Sequence, residues 1–347
     1  MKYQNVILGG GLSGLIAGYY LPDSIILEKT SLAGGAMKTH IILDRYDEDN
    51  RASAKFHTGL KYLHATDSVN NLFKSLILHA DRRKIIGKIF YNNLLSDFGK
   101  HTPKILIKEY FEKTRRQKLT ADIDLSEIKV MNSTLDEKEH DGITNISELI
   151  ERLKKKVKIA YDCDVGFVDF ASKTVFLRNG YEFQYDNLIS TIPLPALGQL
   201  NFKDFNMAST YSHVICFKVR DFVTPKYDYI YFPEAKYRFH RVSFYGDVVC
   251  VEISALAKDD YSSEVKKILN DLKIVDETKI AITAPHISEY GHFKYDYKSK
   301  EKLNSIKEWL SAHDVYTVGR YANWDHSEKI DKTIENIIKI AEEIKNE

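Results

Sequence analysis

The sequence predicts an α/β fold, in which a domain of parallel strands and helices is joined to a second, α+β domain containing an antiparallel sheet and a helical portion. Three observations predict it. A short apolar strand runs into a glycine-rich helix start in "VILGGGLSGLIAG", residues 6–18. A second strand, "SIILEK", follows that helix and closes on the acid Glu28. From Tyr211 to Ile253 the chain is dense in Val, Ile, Phe and Tyr with strand-like runs, the composition of a pleated and largely antiparallel sheet.

Composition bounds the rest. The chain has 347 residues, enough for two domains, and its 44% hydrophobic and 12% aromatic content is that of a folded protein. Lys+Arg at 50 against Asp+Glu at 49 leaves a net charge of +1, so no global field favours nucleic acid or an anionic membrane as partner. Cys163, Cys216 and Cys250 are too widely spaced for a metal or redox motif. They are expected as buried, small apolar residues of a reducing compartment, and no metal is expected. Lys2 before an apolar run superficially resembles a leader, but the ordered glycines and the lack of a convincing cleavage site argue against one. No stretch of about 20 uncharged apolar residues exists to span a bilayer. A soluble cytoplasmic protein is expected.

In the opening stretch, Gly9, Gly11 and Gly14 fit G-x-G-x-x-G, and Gly18 extends the row by one helical turn. Gly9 permits a tight turn, Gly11 lets a diphosphate approach the backbone, and Gly14 lets the helix pack on the strand. The helix expected from Leu12 to Tyr20 aims its unpaired N–H groups, those of Leu12 and Ser13 among them, at phosphate. Glu28 falls about 20 residues after the first glycine, where a carboxylate accepts hydrogen bonds from a ribose diol; Lys29 adjoins it. A glycine triplet alone also suits a helix that merely packs closely. Strand, helix, strand and terminal acid together point to a dinucleotide.

After Glu28 comes "KTSLAGGAMKT", with a second glycine pair, Gly34 and Gly35, followed by Ala36. This continuation resembles that of FAD enzymes of the glutathione-reductase-like superfamily. The resemblance implies a glutathione-reductase-like FAD-binding Rossmann domain whose loop passes the diphosphate and the ribityl chain, and it favours FAD over NAD.

Further elements follow in order. Residues 70–118 are expected to be helical, from the three- and four-residue apolar steps of "VNNLFKSLIL" and "PKILIKEYF", with Pro103 at a helix start. Residues 120–142 read as a polar connection. "ITNISELIERLKKKVKIAY" gives a helix capped at Thr144 or Asn145, then a strand from Val157 to Tyr161. Lys154–Lys156 is a solvated helix end. Asn179-Gly180 marks a hairpin, and "YDNLISTIPLPAL" is similar to the strand that returns such chains to the nucleotide domain. Helices are expected over 261–273 and 299–312. The end places a strand (Val315 to Val318), a Gly-Arg pair, an aromatic loop and an amphipathic helix, with Ile330, Ile334, Ile337, Ile338, Ala341 and Ile344 on one face. It is similar to the strand–glycine–loop–helix of FAD oxidases and mutases, which puts the glycine beside the flavin. The implied division is a discontinuous FAD-binding domain (1–60, 143–200 and 312–347) and a substrate domain with a helical part (61–142) and a sheet part (201–311).

Taken together, these motifs resemble the UDP-galactopyranose mutase-like members of the FAD-dependent amine oxidase/protoporphyrinogen oxidase superfamily. Three stretches carry the mutase resemblance. "KYRFHRVSFYG" is similar to the mutase strand whose arginine meets the substrate diphosphate, here Arg241. "VGRYANWDH" is similar to the segment whose Gly-Arg lies by the FAD diphosphate, here Gly319 and Arg320. "KFHTG" resembles the stretch beside the isoalloxazine, which assigns His57 there; mutases carry another histidine three residues earlier, where this chain has Ala54. Tyr231, Tyr245, Tyr321 and Trp324 are candidate substrate contacts and equally candidates for core or rim packing. The resemblance implies interconversion of pyranose and furanose forms of a nucleotide sugar through reduced flavin. The partners implied are a small-molecule substrate and, where the chain self-associates, a homodimer. An amine oxidase- or desaturase-like oxidoreductase is the alternative, and a non-catalytic flavoprotein homologue is the third reading, for which Ala54 speaks.

Overall fold

The computed structural model describes residues 1–43, 53–57, 61–97, 104–118, 139–205, 207–294 and 297–346. β1 (Lys2–Leu8), α1 (Leu12–Tyr20) and β2 (Ser24–Leu27) form the expected strand–helix–strand. An antiparallel pair follows, β3 (Thr39–Leu43) with β4 (Ser53–His57), then β5 (Leu63–His64) and α2 (Asp67–Ser75). β6 (Arg82–Tyr91), β7 (Leu94–Asp97) and α3 (Lys104–Arg115) precede β8 (Glu139–Ile143) and α4 (Ile146–Lys154). The chain continues through β9 (Ile159–Ala160), β10 (Val165–Asp169), β11 (Thr174–Leu177), β12 (Glu182–Ser190) and α5 (Leu194–Gln199). Then come β13 (Tyr211–Val219), β14 (Tyr229–Tyr231), β15 (Arg241–Tyr245), β16 (Val248–Ala255) and α6 (Ser262–Asp271). The last elements are β17 (Ile280–Ser288), α7 (Tyr297–Ser311), β18 (Val315–Thr317) and α8 (Ile330–Asn346).

Among the described residues the first sheet has seven strands in the order β10-β11-β12-β1-β2-β9, with β18 beside β12. β1 runs parallel to both β12 and β2, and β18 runs parallel to β12. Both faces are covered, which is why β1 reads as an unbroken apolar run rather than an alternation. Ile7 packs with residues of α1, α2, α4 and α8, while Val6 and Leu8 pack on the other face with residues of α5 and α7. Asn5 is fully buried in this strand and is satisfied on both sides. Its Nδ2 donates to the Pro22 carbonyl (2.7 Å), and its Oδ1 accepts from Asn187 Nδ2 (3.2 Å).

The second sheet has nine strands, ordered β17-β13-β16-β15-β14-β6-β8-β5 with β7 beside β6. Its two faces differ in chemistry. Val242, Phe244, Val249, Val251 and Ile253 pack with Val265 and Leu269 of α6. Strand alternation sends Arg241, Tyr245, Cys250 and Glu252 to the opposite face, where Tyr229 and Tyr231 of β14 cluster with Tyr110 of α3. All three cysteines are buried.

Several expectations are corrected. Residues 70–118 are not one helical region: α2 and α3 form, but β6 and β7 make a hairpin between them. There Ile85, Gly87 and Ile89 alternate in period 2, and Asn92 and Asn93 both adopt positive φ (50° and 61°) to turn the chain. The strand expected at Val157–Tyr161 shrinks to Ile159–Ala160, and residues 139–142 belong to β8. Asn145 precedes α4 without a side-chain capping bond to it; its amide donates instead to the His79 carbonyl and Glu148. Ile338 lies outside the buried stripe of α8, which is Thr333, Ile334, Ile337, Ala341 and Ile344. Pro103 and most of 120–142 lie outside the described residues.

The packing of β6 on β14 is tight enough to test. A Cβ at Gly87 falls 2.5 Å from the buried ring of Tyr229. Gly87→Ala is expected to cost about 1–3 kcal/mol by overpacking, read as a lower urea midpoint. An unchanged midpoint contradicts the contact.

Candidate functional site

The site begins where β1 turns into α1. Gly9 takes φ +96°, and a Cβ at Gly14 would lie 1.9 Å from the Gly9 carbonyl oxygen, so the helix leaves the strand at a distance only glycine allows. Gly11 is the residue before the helix, no side chain caps it, and the first turn holds no acid. Among the described residues the amides of Leu12, Ser13 and Gly14 have no hydrogen-bond partner, while Leu15 N–H already bonds the Gly11 carbonyl. A Cβ at Gly11 would meet only Gly35 Cα, at 3.9 Å. The loop is therefore an open concavity rimmed by unpaired donors at the positive end of a helix.

Two other segments close on the same helix end. Gly34 N–H donates to the Gly10 carbonyl (2.7 Å), and Gly35, at φ +55°, approaches Gly11 so closely that a Cβ would lie 2.9 Å from its Cα. Ala36 continues as an exposed turn residue. From the other side of β1, Gly319 (φ +95°) follows β18, and its Cβ would fall 2.6 Å from Ser13 Oγ. Glu28 sits just past β2. Its Oε2 accepts from Gly10 N–H (2.7 Å), and its Oε1 accepts from the N–H (2.9 Å) and hydroxyl (2.7 Å) of Thr30. A carboxylate offers about four acceptor positions, so one remains for a ligand hydroxyl. Lys29 turns away: it is exposed and pairs with Asp164 (3.2 Å). Leu12 contributes its backbone only, since its side chain is in the core.

A second group of candidates lies on the polar face of the nine-stranded sheet. Arg241 and Glu252 are cross-strand neighbours on β15 and β16, and the guanidinium clamps both carboxylate oxygens (2.8 and 2.7 Å). Arg241 thus faces inward, but two of its nitrogens are already engaged; Nη1 makes no hydrogen bond among the described residues. Burial alone would make the guanidinium easier to deprotonate, but Glu252 raises its pKa well above the usual value. Tyr231 lies opposite Arg241 in the register, its ring 5.9 Å from the guanidinium carbon. Tyr245 accepts a hydrogen bond from the Lys61 backbone N–H. The Lys61 ammonium is buried, which lowers its pKa, and it interacts with Glu252, Arg241 and Arg320. Arg320 Nε donates weakly to the Glu328 carbonyl (3.4 Å). Tyr321 packs edge-on to Phe293, whereas Trp324 stacks on Phe293 at 4.2 Å and is 1% exposed. That burial places Trp324 in the core, the packing side of the two expectations for it. His57 ends β4 opposite Thr39; its side chain lies outside the described residues.

Beside Arg241 runs a ladder of histidines, His240 buried and His292 and His326 half-buried. The rings of His240 and His292 are 5.2 Å apart and those of His292 and His326 5.3 Å. Ser254 Oγ is 2.9 Å from His292 Nδ1. Burial first, and neighbouring arginines and histidines second, hold all three well below the ordinary imidazole pKa, so they are neutral. The sequence reading missed them, along with Lys61, Glu252 and the fully buried Arg115. Glu252 carried a signal, being the one charge in the otherwise apolar run "VVCVEISA". Arg115, in "KTRRQK", has no such contrast with its neighbours to mark it.

The sequence matches no family profile and no curated protein. The fold does match solved structures across nearly the whole chain. Reduced UDP-galactopyranose mutase is 15% identical with a TM-score of 0.77, covering 100% of this chain and 94% of that one. Putrescine oxidase bound to putrescine is 11% identical with a TM-score of 0.71, covering 100% of both chains. A CLA-producing fatty acid isomerase from P. acnes is 12% identical with a TM-score of 0.68, covering 98% of both. At these identities the likeness establishes the fold.

The neutral histidines give stability a direction with pH. Their folded pKa values lie below the unfolded value near 6.5, so the unfolded chain binds more protons below that pH. Their contribution is complete above about pH 6.5 and is lost as the pH falls. The melting temperature is expected to drop by several degrees between about pH 7.5 and 5.5, and less so in His292→Asn. A flat profile over that window contradicts the neutral ladder.

Proposed function

We propose that the chain is an FAD-dependent enzyme acting on an anionic small molecule, and that interconversion of pyranose and furanose forms of a nucleotide sugar is the reaction its residues favour. The observation that carries the cofactor is the meeting of three glycine-bearing segments at the N-terminus of α1. The residues fit the group. The cradle at Gly11 is open, the amides of Leu12, Ser13 and Gly14 are unpaired, and Glu28 keeps one acceptor position. A diphosphate satisfies the amides and the helix dipole together. Glu28 follows β2 on one side of β1, while Gly319 follows β18 on the other, beyond β12. A dinucleotide crossing the strand ends thus places its adenosine at Glu28 and its other half at residues 319–328. In this reading the cofactor domain is the discontinuous one expected from the sequence (1–60, 143–200, 312–347).

When bound, FAD supplies the redox-active ring on which the chemistry depends. The chain's own residues bind and orient the substrate. Arg241 is held in one orientation by Glu252, so its free Nη1 edge is presented without the entropy loss of a mobile side chain. Arg320 adds positive charge in the same region, which supports an anionic substrate such as a nucleoside diphosphate sugar. Tyr110, Tyr231 and Tyr245 line this face with apolar rings, keeping water from the charges and strengthening each contact. The same tyrosines, with Tyr229, also support a second reading: an oxidoreductase on the amine oxidase pattern, which needs an aromatic cavity beside its flavin.

Purified protein saturated with FAD and reduced with dithionite is expected to convert UDP-galactofuranose into UDP-galactopyranose, and unreduced protein is not. Protein that binds FAD but converts the sugar in neither state contradicts the mutase reading and leaves the oxidoreductase. Protein that takes up no FAD contradicts both.

A further inference from the structure

Glu328 stands in the turn ahead of α8, where an acid ordinarily does no more than sit in water near a helix start. Here it is 3% exposed. Its Oε1 accepts from Gly319 N–H (2.9 Å), the Thr333 hydroxyl (3.1 Å) and Asn336 Nδ2 (3.3 Å), and its Oε2 accepts from Asn323 Nδ2 (2.7 Å). Four neutral donors fill the acceptor capacity of the group, and among the described residues it forms no ion pair. The donors come from the end of β18, from the 319–328 turn and from the first two turns of α8, so one carboxylate ties these three pieces together.

The bonds lock the turn at a particular place. Gly319 gives its N–H to Glu328, while its carbonyl accepts from Asn323 N–H (2.9 Å). Both polar groups of the glycine that abuts Ser13 are thereby committed. The next amide, Arg320 N–H, has no hydrogen-bond partner among the described residues, and the Arg320 side chain leans back on the Glu328 carbonyl. Removing the Glu328 carboxylate leaves the Gly319 N–H without its acceptor and frees that glycine to rotate.

We propose that Glu328 is the positioning residue for the flavin side of the cofactor site, holding Gly319 against the N-terminus of α1; the inference rests on the FAD reading above. Glu28 and Gly319 lie on opposite sides of β1, so the two halves of the cofactor report separately. ADP carries the half that meets Glu28 and the helix end, and only FAD reaches the 319–328 turn.

The test is a titration of apoprotein with FAD and, separately, with ADP. Glu328→Gln puts an amide donor against donors whichever way it turns. It is expected to raise the FAD dissociation constant at least tenfold, about 1.4 kcal/mol, while ADP affinity stays within about twofold. Glu328→Asp, which keeps both acceptors, restores part of the loss. If Glu328→Gln does not fold, Asn323→Ala removes the 2.7 Å bond to Glu328, along with the Asn323 Oδ1 that accepts from Thr317, and is expected to show the same split at about threefold. Equal losses of FAD and ADP affinity assign Glu328 to general support of the fold and overturn the proposal, as does unchanged FAD affinity in a folded variant. Wild-type protein that binds ADP but not FAD overturns the functional reading itself.

Discussion

Three glycines from distant parts of the chain touch one helix end, and the architecture is arranged around that approach. Gly14 lies against the Gly9 carbonyl, Gly35 against the Gly11 Cα and Gly319 against Ser13, each closer than a Cβ permits. These contacts join the β1–α1 turn, the segment after β2 and the segment after β18, the last of them against the Ser13 side chain. The space thereby left open is at Gly11, the one position of the group where a Cβ meets nothing nearer than 3.9 Å. Close packing everywhere else is what makes that opening specific.

The parallel strands carry the consequence outward. β2 and β18 deliver Glu28 and Gly319 to opposite sides of β1 at the same end of the sheet, as expected for ligands bound at the carboxyl ends of parallel strands. The nine-stranded sheet meets this end with its polar face. There a half-buried arginine is tolerated because Glu252 lies directly across from it in the register, and desolvating either alone is strongly unfavourable. The pair fixes one orientation of Arg241 and exposes one edge of it, so the cost of ordering the side chain is met in folding rather than in binding.

The glycine loop, the second strand and the closing acid were legible because their constraints are local. Glycine spacing, an apolar run and a terminal carboxylate lie within 30 residues and act on one another through the backbone. The antiparallel sheet was legible from β-branched and aromatic density. The β6–β7 hairpin was not, because its turn is Asn92-Asn93 rather than the more familiar Asn-Gly, and its flanks share apolar spacing with the helices beside it. Glu252 and Glu328 were opaque for a different reason. What makes them functional candidates is their partners, Arg241 across a strand pair and four donors on three segments, and such partners are set by tertiary structure alone. Lys29 shows the converse: beside Glu28 in sequence, it is drawn off by Asp164.

The claim that Gly11 opens a diphosphate cradle is tested most directly by Gly11→Ala. Gly11 has φ −67°, which alanine adopts without strain, and its added methyl touches no protein atom closer than 3.9 Å. The unliganded variant should therefore melt within about 2 °C of wild type, while its FAD dissociation constant rises at least tenfold, about 1.4 kcal/mol. FAD binding as tight as wild type in a folded Gly11→Ala protein would contradict the account.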